Sequence, residues 1–308
     1  MRRAMNRTKD GNSMKSMREQ VAEGRVLVSD GGWGSFLIAK GFKIGECPEL
    51  WNLERPADVR EIAQMYADAG ADIVMTNSFG GTSFKLEHYG LAGRVAEINE
   101  TAARLSREAA GAERHVMASV GPTGKILMMG DVAEEEILEA YRAQMVALEA
   151  GGADACSVET MSAIDEAALA VRAARENTGL EVIASFTFST KTPAGYRTMM
   201  GVSPEAMAEA MLEAGAHILG ANCSLGSDEM IEVVAALRAA ASGVPILVHP
   251  NAGQPIQQDD GSVSYPETPA MMAANVAKLV AAGANIIGGC CGTGPDHIRQ
   301  IRAAVDAL

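Results

Sequence analysis

Hydrophobic and polar positions in this chain come in blocks. Short runs such as Val26-Leu27-Val28, Val116-Met117-Ala118, Val182-Ile183-Ala184 and Pro245-Ile246-Leu247-Val248 are apolar at successive positions. Such a run suits a strand covered on both faces, because alternate side chains point to opposite sides of a sheet. Four further passages share one form: Ala69-Gly70-Ala71-Asp72-Ile73-Val74, Ala150-Gly151-Gly152-Ala153-Asp154, Ala214-Gly215-Ala216-His217-Ile218-Leu219 and Ala282-Gly283-Ala284-Asn285-Ile286-Ile287. In each, an Ala- and Glu-rich helical pattern stops at Gly, which tolerates the left-handed conformation of a helix end, and a strand follows about two residues later. These passages recur about every sixty to eighty residues, roughly twice the span of one strand-plus-helix unit, so one unrepeated strand falls between each pair.

The two sets together predict eight short parallel strands. Amphipathic stretches such as 134–150 and 229–240 supply the covering helices. Eight units in about 280 residues fit a closed (βα)8 TIM barrel in a single domain better than an open doubly wound sheet. The glycines of Asp30-Gly31-Gly32-Trp33-Gly34 lack the spacing of a dinucleotide-binding turn. Residues 1–16, polar and without periodicity, are expected to form a flexible N-terminal arm, with the barrel over 17–308.

Composition narrows the setting. With 48% apolar and 21% charged residues, the 308-residue chain can bury a large core. A net charge of -13 and a pI near 4.9 oppose nucleic acid and anionic membrane as partners. No apolar run is long enough to span a bilayer and the start lacks a secretory apolar region, so a cytoplasmic location is expected. Five cysteines, an odd number, do not form a disulfide framework in so long a chain; a reducing compartment keeps them available as ligands.

In a TIM barrel, reactive groups gather at the C-terminal ends of the strands. Reading each run to its end gives Asp30, Thr76-Asn77, Ser119, Glu159-Thr160, Thr187, Asn222-Cys223, His249 with Asn251, and Cys290-Cys291. Cys223, Cys290 and Cys291 offer three soft thiolates flanked by glycines, a donor set that suits zinc with one coordination position left for substrate. A vicinal disulfide or redox switch, or burial as small hydrophobes, are the competing readings. Cys47 and Cys156 are assigned to no metal. Three thiolates make zinc a poor generator of hydroxide but a good host for a substrate thiol, which points to alkyl transfer to sulfur. Asp30 and Glu159 could pair with an ammonium group, and backbone amides near Gly31 and Gly32 with a carboxylate.

The motifs Asp30-Gly31-Gly32, Gly220-Ala221-Asn222-Cys223 and Gly288-Gly289-Cys290-Cys291-Gly292-Thr293 resemble those of the homocysteine S-methyltransferase family, from about Val26 to the end of the chain. The resemblance implies a zinc-dependent (βα)8 barrel that activates the homocysteine thiol. Cys223, Cys290 and Cys291 would be the catalytic metal ligands, Asp30 and Glu159 would hold the amino acid, and Asn251 would lie near the metal. Glu46-Cys47-Pro48-Glu49-Leu50-Trp51-Asn52 and Thr76-Asn77-Ser78-Phe79-Gly80-Gly81-Thr82 look most like the homocysteine-binding module of cobalamin-dependent methionine synthase. At the first strand, Asp30-Gly31-Gly32-Trp33-Gly34-Ser35 departs from that branch toward the betaine-using one. The sequence lacks the cobalamin module's Asp-x-His-x-x-Gly motif, so the expected donor is methylcobalamin or a related methyl-corrinoid on a separate protein. A small donor such as betaine, S-methylmethionine or another sulfonium, with Trp33 or Trp51 facing the cation, is the alternative; a non-catalytic zinc or thiol redox protein is the second.

Overall fold

The computed structural model describes residues 14–258 and 263–308. The expected arm therefore lies, up to residue 13, outside the described residues; Ser16 at its end caps the first helix. Eight parallel strands run in the order β1 (Leu27–Val28), β2 (Ile73–Met75), β3 (His115–Val120), β4 (Ala155–Met161), β5 (Glu181–Phe186), β8 (Ile218–Asn222), β9 (Ile246–His249) and β12 (Ile286–Ile287). Two antiparallel hairpins interrupt the series, β6 (Thr190–Thr192) with β7 (Gly195–Arg197) and β10 (Ile256–Gln257) with β11 (Val263–Ser264). Each strand pairs with the next, β12 pairs with β1, and a parallel bridge between Ser29 and Ile73 completes the circle. This is the (βα)8 barrel that the repeated pattern predicts.

The helices are α1 (Met17–Ala22), α2 (Trp33–Ala39), α3 (Trp51–Glu54), α4 (Pro56–Asp68), α5 (Ser83–Glu87), α6 (Val95–Ala110), α7 (Glu134–Ala150), α8 (Ile164–Asn177), α9 (Pro204–Ala214), α10 (Met230–Ala240), α11 (Pro269–Ala282) and α12 (Pro295–Asp306). No helix among the described residues is long and apolar enough to cross a membrane.

At the N-terminal end of the strands, the four repeated passages perform one job four times. Their glycines Gly70, Gly152, Gly215 and Gly283 take φ of +96°, +103°, +99° and +119°. The polar residue that follows accepts the backbone N–H of a neighbouring strand: Asp72 from Val28 (2.9 Å), Asp154 from Val116 (2.9 Å), His217 from Val182 (2.9 Å) and Asn285 from Ile246 (3.0 Å). An arginine from an outer helix braces each one, Arg302, Arg107, Arg175 and Arg238 respectively. The internal repeat is therefore a repeated latch closing the bottom of the barrel.

Two cores result. Between sheet and helices lies the larger one, which contains Val28, Val116, Phe186 and Val248. Inside the barrel, every strand contributes at least one buried apolar residue, among them Leu27, Met117, Ile183 and Ile286, and Met17 of α1 joins this layer. Glu181 fixes that plug by accepting hydrogen bonds from the Met17 and Arg18 amides, at 2.9 and 3.2 Å. Two residues further along seven of the eight strands, on the same inward face, the residues become small or polar: Ser29, Ser119, Ser157, Ser185, Gly220, His249 and Gly288; on β2 the apolar layer continues through Met75. An apolar plug thus gives way to a polar floor beneath the strand ends.

Candidate metal and substrate site

The strand ends bring Cys223, Cys290 and Cys291 together: their sulfurs all lie within 4.8 Å of one another, and none is in a disulfide. Cys223 follows β8, and the vicinal pair stands in the turn after β12. Main-chain hydrogen bonds seat them, Cys223 N–H on His249 O at 3.0 Å and Cys290 N–H on Pro250 O at 2.8 Å. The half-buried thiols share protons. Donation from Cys223 and then Cys290 holds Cys291 far below the ordinary thiol range, while the hydrogen bonds to Cys223 and Cys291, with burial, push Cys290 well up. A cluster that already keeps one sulfur ionised is suited to a soft cation, which binds the thiolate form.

The backbone here is under tension. Cys223 and Ser224 take φ of +65° and +61°, and Thr160, after Glu159 on β4, takes +60°. Such values are unfavourable for residues with a Cβ, most of all for a β-branched one. Asn222 links the two strained points: its side chain accepts from Thr160 N–H (3.0 Å) and Ser185 Oγ (2.6 Å) and donates to Thr160 Oγ1 (2.8 Å).

Asp30 and Glu159 are both buried near the sulfurs. Asp30 Oδ2 accepts from Met75 N–H at 2.8 Å and from the Trp33 indole at 2.9 Å, whereas Oδ1 has no protein partner among the described residues. Ser119 Oγ donates to Glu159. Burial pushes each carboxyl up to about 7; for Glu159 the charges of Asp30 and Cys291 add to the effect. Ser29 Oγ, Ser157 Oγ and His249 Nε2, on the floor below, are likewise buried without a protein partner. Burial also pushes His249 down to about 4, so the imidazole is neutral. Buried polar atoms without a protein partner, beside two carboxyls, are a set of groups equipped for a polar, cationic ligand end.

Gly31 and Gly32 have a steric role. A Cβ on Gly31 would meet Thr293 Oγ1 at 2.7 Å, and one on Gly32 would meet Cys290 O at 2.5 Å. Gly32 N–H donates to Thr293 Oγ1 and O, at 3.0 and 3.2 Å, so that amide already ties the first strand end to the cysteine turn. Asn251 contacts the cysteine turn by accepting Cys291 N–H at 3.1 Å. Of the cysteines assigned to no metal, Cys156 is buried within β4 and Cys47 is buried beside Glu49. Trp51 lies under the Arg55 guanidinium, 3.9 Å from the ring centroid, with Phe42 at its edge, and Trp33 is bound to Asp30. The positioning work of Asn222, Ser119 and Thr293 is not legible in the sequence, although Asn222 and Ser119 lie at strand ends where such groups gather and Thr293 closes the cysteine motif.

The sequence profile described as homocysteine S-methyltransferase matches residues 27–305. The methionine synthase of Mycobacterium tuberculosis is 33% identical over 303 residues, covering 92% of this chain and 25% of that protein. Its Mycobacterium leprae counterpart is 32% identical, covering 91% and 24%. The chain thus spans about a quarter of the length of these relatives. Among solved structures, the homocysteine methyltransferase MmuM from Escherichia coli in its oxidized form has a TM-score of 0.76 at 23% identity, covering 94% of this chain and 99% of that one. Its metallated form gives 0.75 at 23% identity. These structures share the fold. With the profile spanning nearly the whole barrel and all three sulfurs gathered at its mouth, the chain belongs to the homocysteine S-methyltransferase family.

Proposed function

We propose that this protein transfers a methyl group to the sulfur of homocysteine, forming methionine, and takes that group from a methyl-corrinoid carried by a separate protein. The observation that carries the reading is the trio of sulfurs at the strand ends, beside two buried carboxyls. Three sulfurs within reach of one another form a donor set that fits zinc, and Cys223, Cys290 and Cys291 would hold it. When bound, zinc supplies acidity to an added thiol, so that its sulfur is ionised at neutral pH.

The chain's own residues do the rest. Asp30 Oδ1 and Glu159 accept the ammonium group of the amino acid, and the small polar floor lies beneath its body. Asn222, the glycines and Thr293 fix the strand ends, so the acceptor sulfur is presented at one place. The sulfur lone pair then forms the S–CH3 bond as the donor's bond to that carbon breaks, the bonding pair staying with the donor. The thiol proton leaves to solvent.

Two observations favour a protein-borne donor over a small cation. The Trp51 face is covered by Arg55, and the Trp33 indole is bound to Asp30, so neither is poised as a cage for a sulfonium or betaine. The connections leaving the strand ends expose Ile44, Ile126, Met128, Met129 and Met199, apolar surface of the kind a protein partner covers. A reducing cytoplasm suits the free thiols.

Metal analysis and product analysis test the reading. Purified protein is expected to hold about one zinc per chain, and Cys223→Ala to lose it. Incubation with homocysteine and either methylcobalamin, betaine or S-methylmethionine is expected to give methionine from the corrinoid. Efficient turnover of a small donor would replace the donor assignment, and metal content unchanged in Cys223→Ala would remove the site.

A further inference from the structure

The turns that carry the sulfurs come from different strands, and a third segment joins them. Glu267, which follows the β10–β11 hairpin, accepts Ser227 N–H with both carboxylate oxygens, at 3.0 and 3.2 Å, and Ser227 Oγ with one, at 2.6 Å. Ser227 closes the turn that begins at Cys223. Glu267 N–H in turn donates to Ala252 O at 2.8 Å, and Ala252 N–H to Cys291 O at 2.9 Å. Two residues earlier, the Tyr265 ring packs on Gly292, the residue after Cys291, so closely that a Cβ there would collide with it.

The far side is also tied. His297 Nδ1 accepts Gly294 N–H at 3.1 Å, which puts the neutral ring's proton on Nε2, facing Glu267 O at 3.1 Å. The 265–267 segment therefore touches the Cys223 turn, the Cys291 turn and the start of α12. We propose that Glu267 is a positioning residue for the sulfur triad, its carboxylate holding the strained Cys223 turn at the separation from Cys290 and Cys291 at which three sulfurs grip one ion.

The physical reason is the strain. Two consecutive residues with Cβ atoms at positive φ persist only where surrounding contacts over-determine them. A carboxylate receiving two N–H···O contacts and one O–H···O is a strong restraint, because hydrogen bonds to an ionised acceptor are the stronger class. Groups that orient metal ligands without touching the metal typically change affinity by about 10- to 100-fold when removed. Tyr265 adds a phenol beside Cys291. The inference rests on the triad being a metal centre, and the experiment separates the two claims.

Wild type, Glu267→Ala, Glu267→Gln and Ser227→Ala of the full chain are titrated with zinc against a competing chelator and with cobalt, whose absorption reports sulfur ligation. Thermal melting of the metal-free proteins is followed in parallel. Glu267→Ala is expected to lose about tenfold or more in zinc affinity and to show an altered cobalt spectrum. Glu267→Gln, which keeps one carbonyl oxygen for Ser227 N–H, recovers part of both. Ser227→Ala, which removes the hydroxyl's bonds to Glu267 and from Asn275 Nδ2 but keeps Ser227 N–H on the carboxylate, shows a smaller loss. Wild-type affinity and spectrum in both Glu267 variants would overturn the positioning role. Should Glu267→Ala fold poorly, Glu267→Gln and Ser227→Ala decide, and their matching wild type in both readouts would likewise overturn it. A wild-type protein that binds neither metal would instead remove the metal centre itself.

Discussion

Asp30 and Glu159 make the clearest statement at the scale of single residues, because burial raises both to about 7, well above their ordinary values. With no ammonium partner, each is protonated below that pH and ionised above it. An ammonium group pairs with the ionised form, so ligand binding releases protons, and affinity rises with pH until the carboxyls are ionised in the free protein. Methionine isolates this effect, since it has the ammonium group but no thiol proton to lose. Its affinity is expected to rise by up to about tenfold per pH unit below 7 and to level off above about 8. Calorimetric titration from pH 5.5 to 8.5 is the measurement; a flat profile would contradict the ammonium role, and Glu159→Gln should both weaken binding and flatten the slope. Stability of the unliganded chain moves oppositely. A carboxyl whose folded pKa is raised favours the folded state less as pH climbs from its unfolded value, near 4, to about 7. A ligand's ammonium offsets that loss.

Elements position these residues, and the bottom latches hold the elements. Asn285 accepts Ile246 N–H and is donated to by Arg238 (2.9 Å), which also bonds Gly283 O and Val244 O (2.8 Å each). Asn285→Ala removes one acceptor and strands its donors. A cost of about 1–3 kcal/mol in unfolding free energy is expected, with turnover nearly unchanged because the site lies at the opposite end. Urea denaturation checks the first part and steady-state kinetics the second; a stability within experimental error of wild type would show that the latch contributes nothing. All eight barrel strands were legible because strands apolar on both faces leave a continuous run, and the Gly-Ala-Asp type of passage announced the repeat. The arginine half of each latch was not legible, since it comes from a helix distant in sequence: Arg302 reaches Asp72 across most of the chain. The hairpins also escaped notice. β6, β10 and β11 face solvent, and Tyr196 on β7 is the single buried residue of these four short strands, too little to imprint a pattern. Glu267 is illegible for a related reason, because its meaning lies in three turns meeting in space. The cysteines are legible because thiolate chemistry is written in residue type and in adjacency alone.

At the scale of the whole molecule, polarity is unevenly placed. The outer helices carry paired charges such as Arg104 with Glu108 and Arg172 with Glu176, while large exposed apolar side chains collect in the connections above the strands. Met128 and Met129, after β3, are 81% and 74% exposed. Methionine is a flexible, polarizable contact residue well suited to a surface that repacks against a partner. On the proposed function, a methyl group bound to a protein-held corrinoid would have to be brought over the sulfurs, and docking on this rim would do so, whereas free methylcobalamin would need the strand-end site alone. The two donors should therefore respond differently to a charge placed on the rim. In Met128→Glu with Met129→Glu, methionine formation from a methylcobalamin-loaded corrinoid protein is expected to fall by about tenfold, equivalent to roughly 1.4 kcal/mol of lost docking energy. Methionine formation from free methylcobalamin should be within about twofold of wild type, because neither methionine touches the sulfurs or the carboxyls. Loss of both activities would place the defect in the pocket or the fold. Retention of both would mean that the donor protein, if it serves this barrel, approaches without touching the β3 connection.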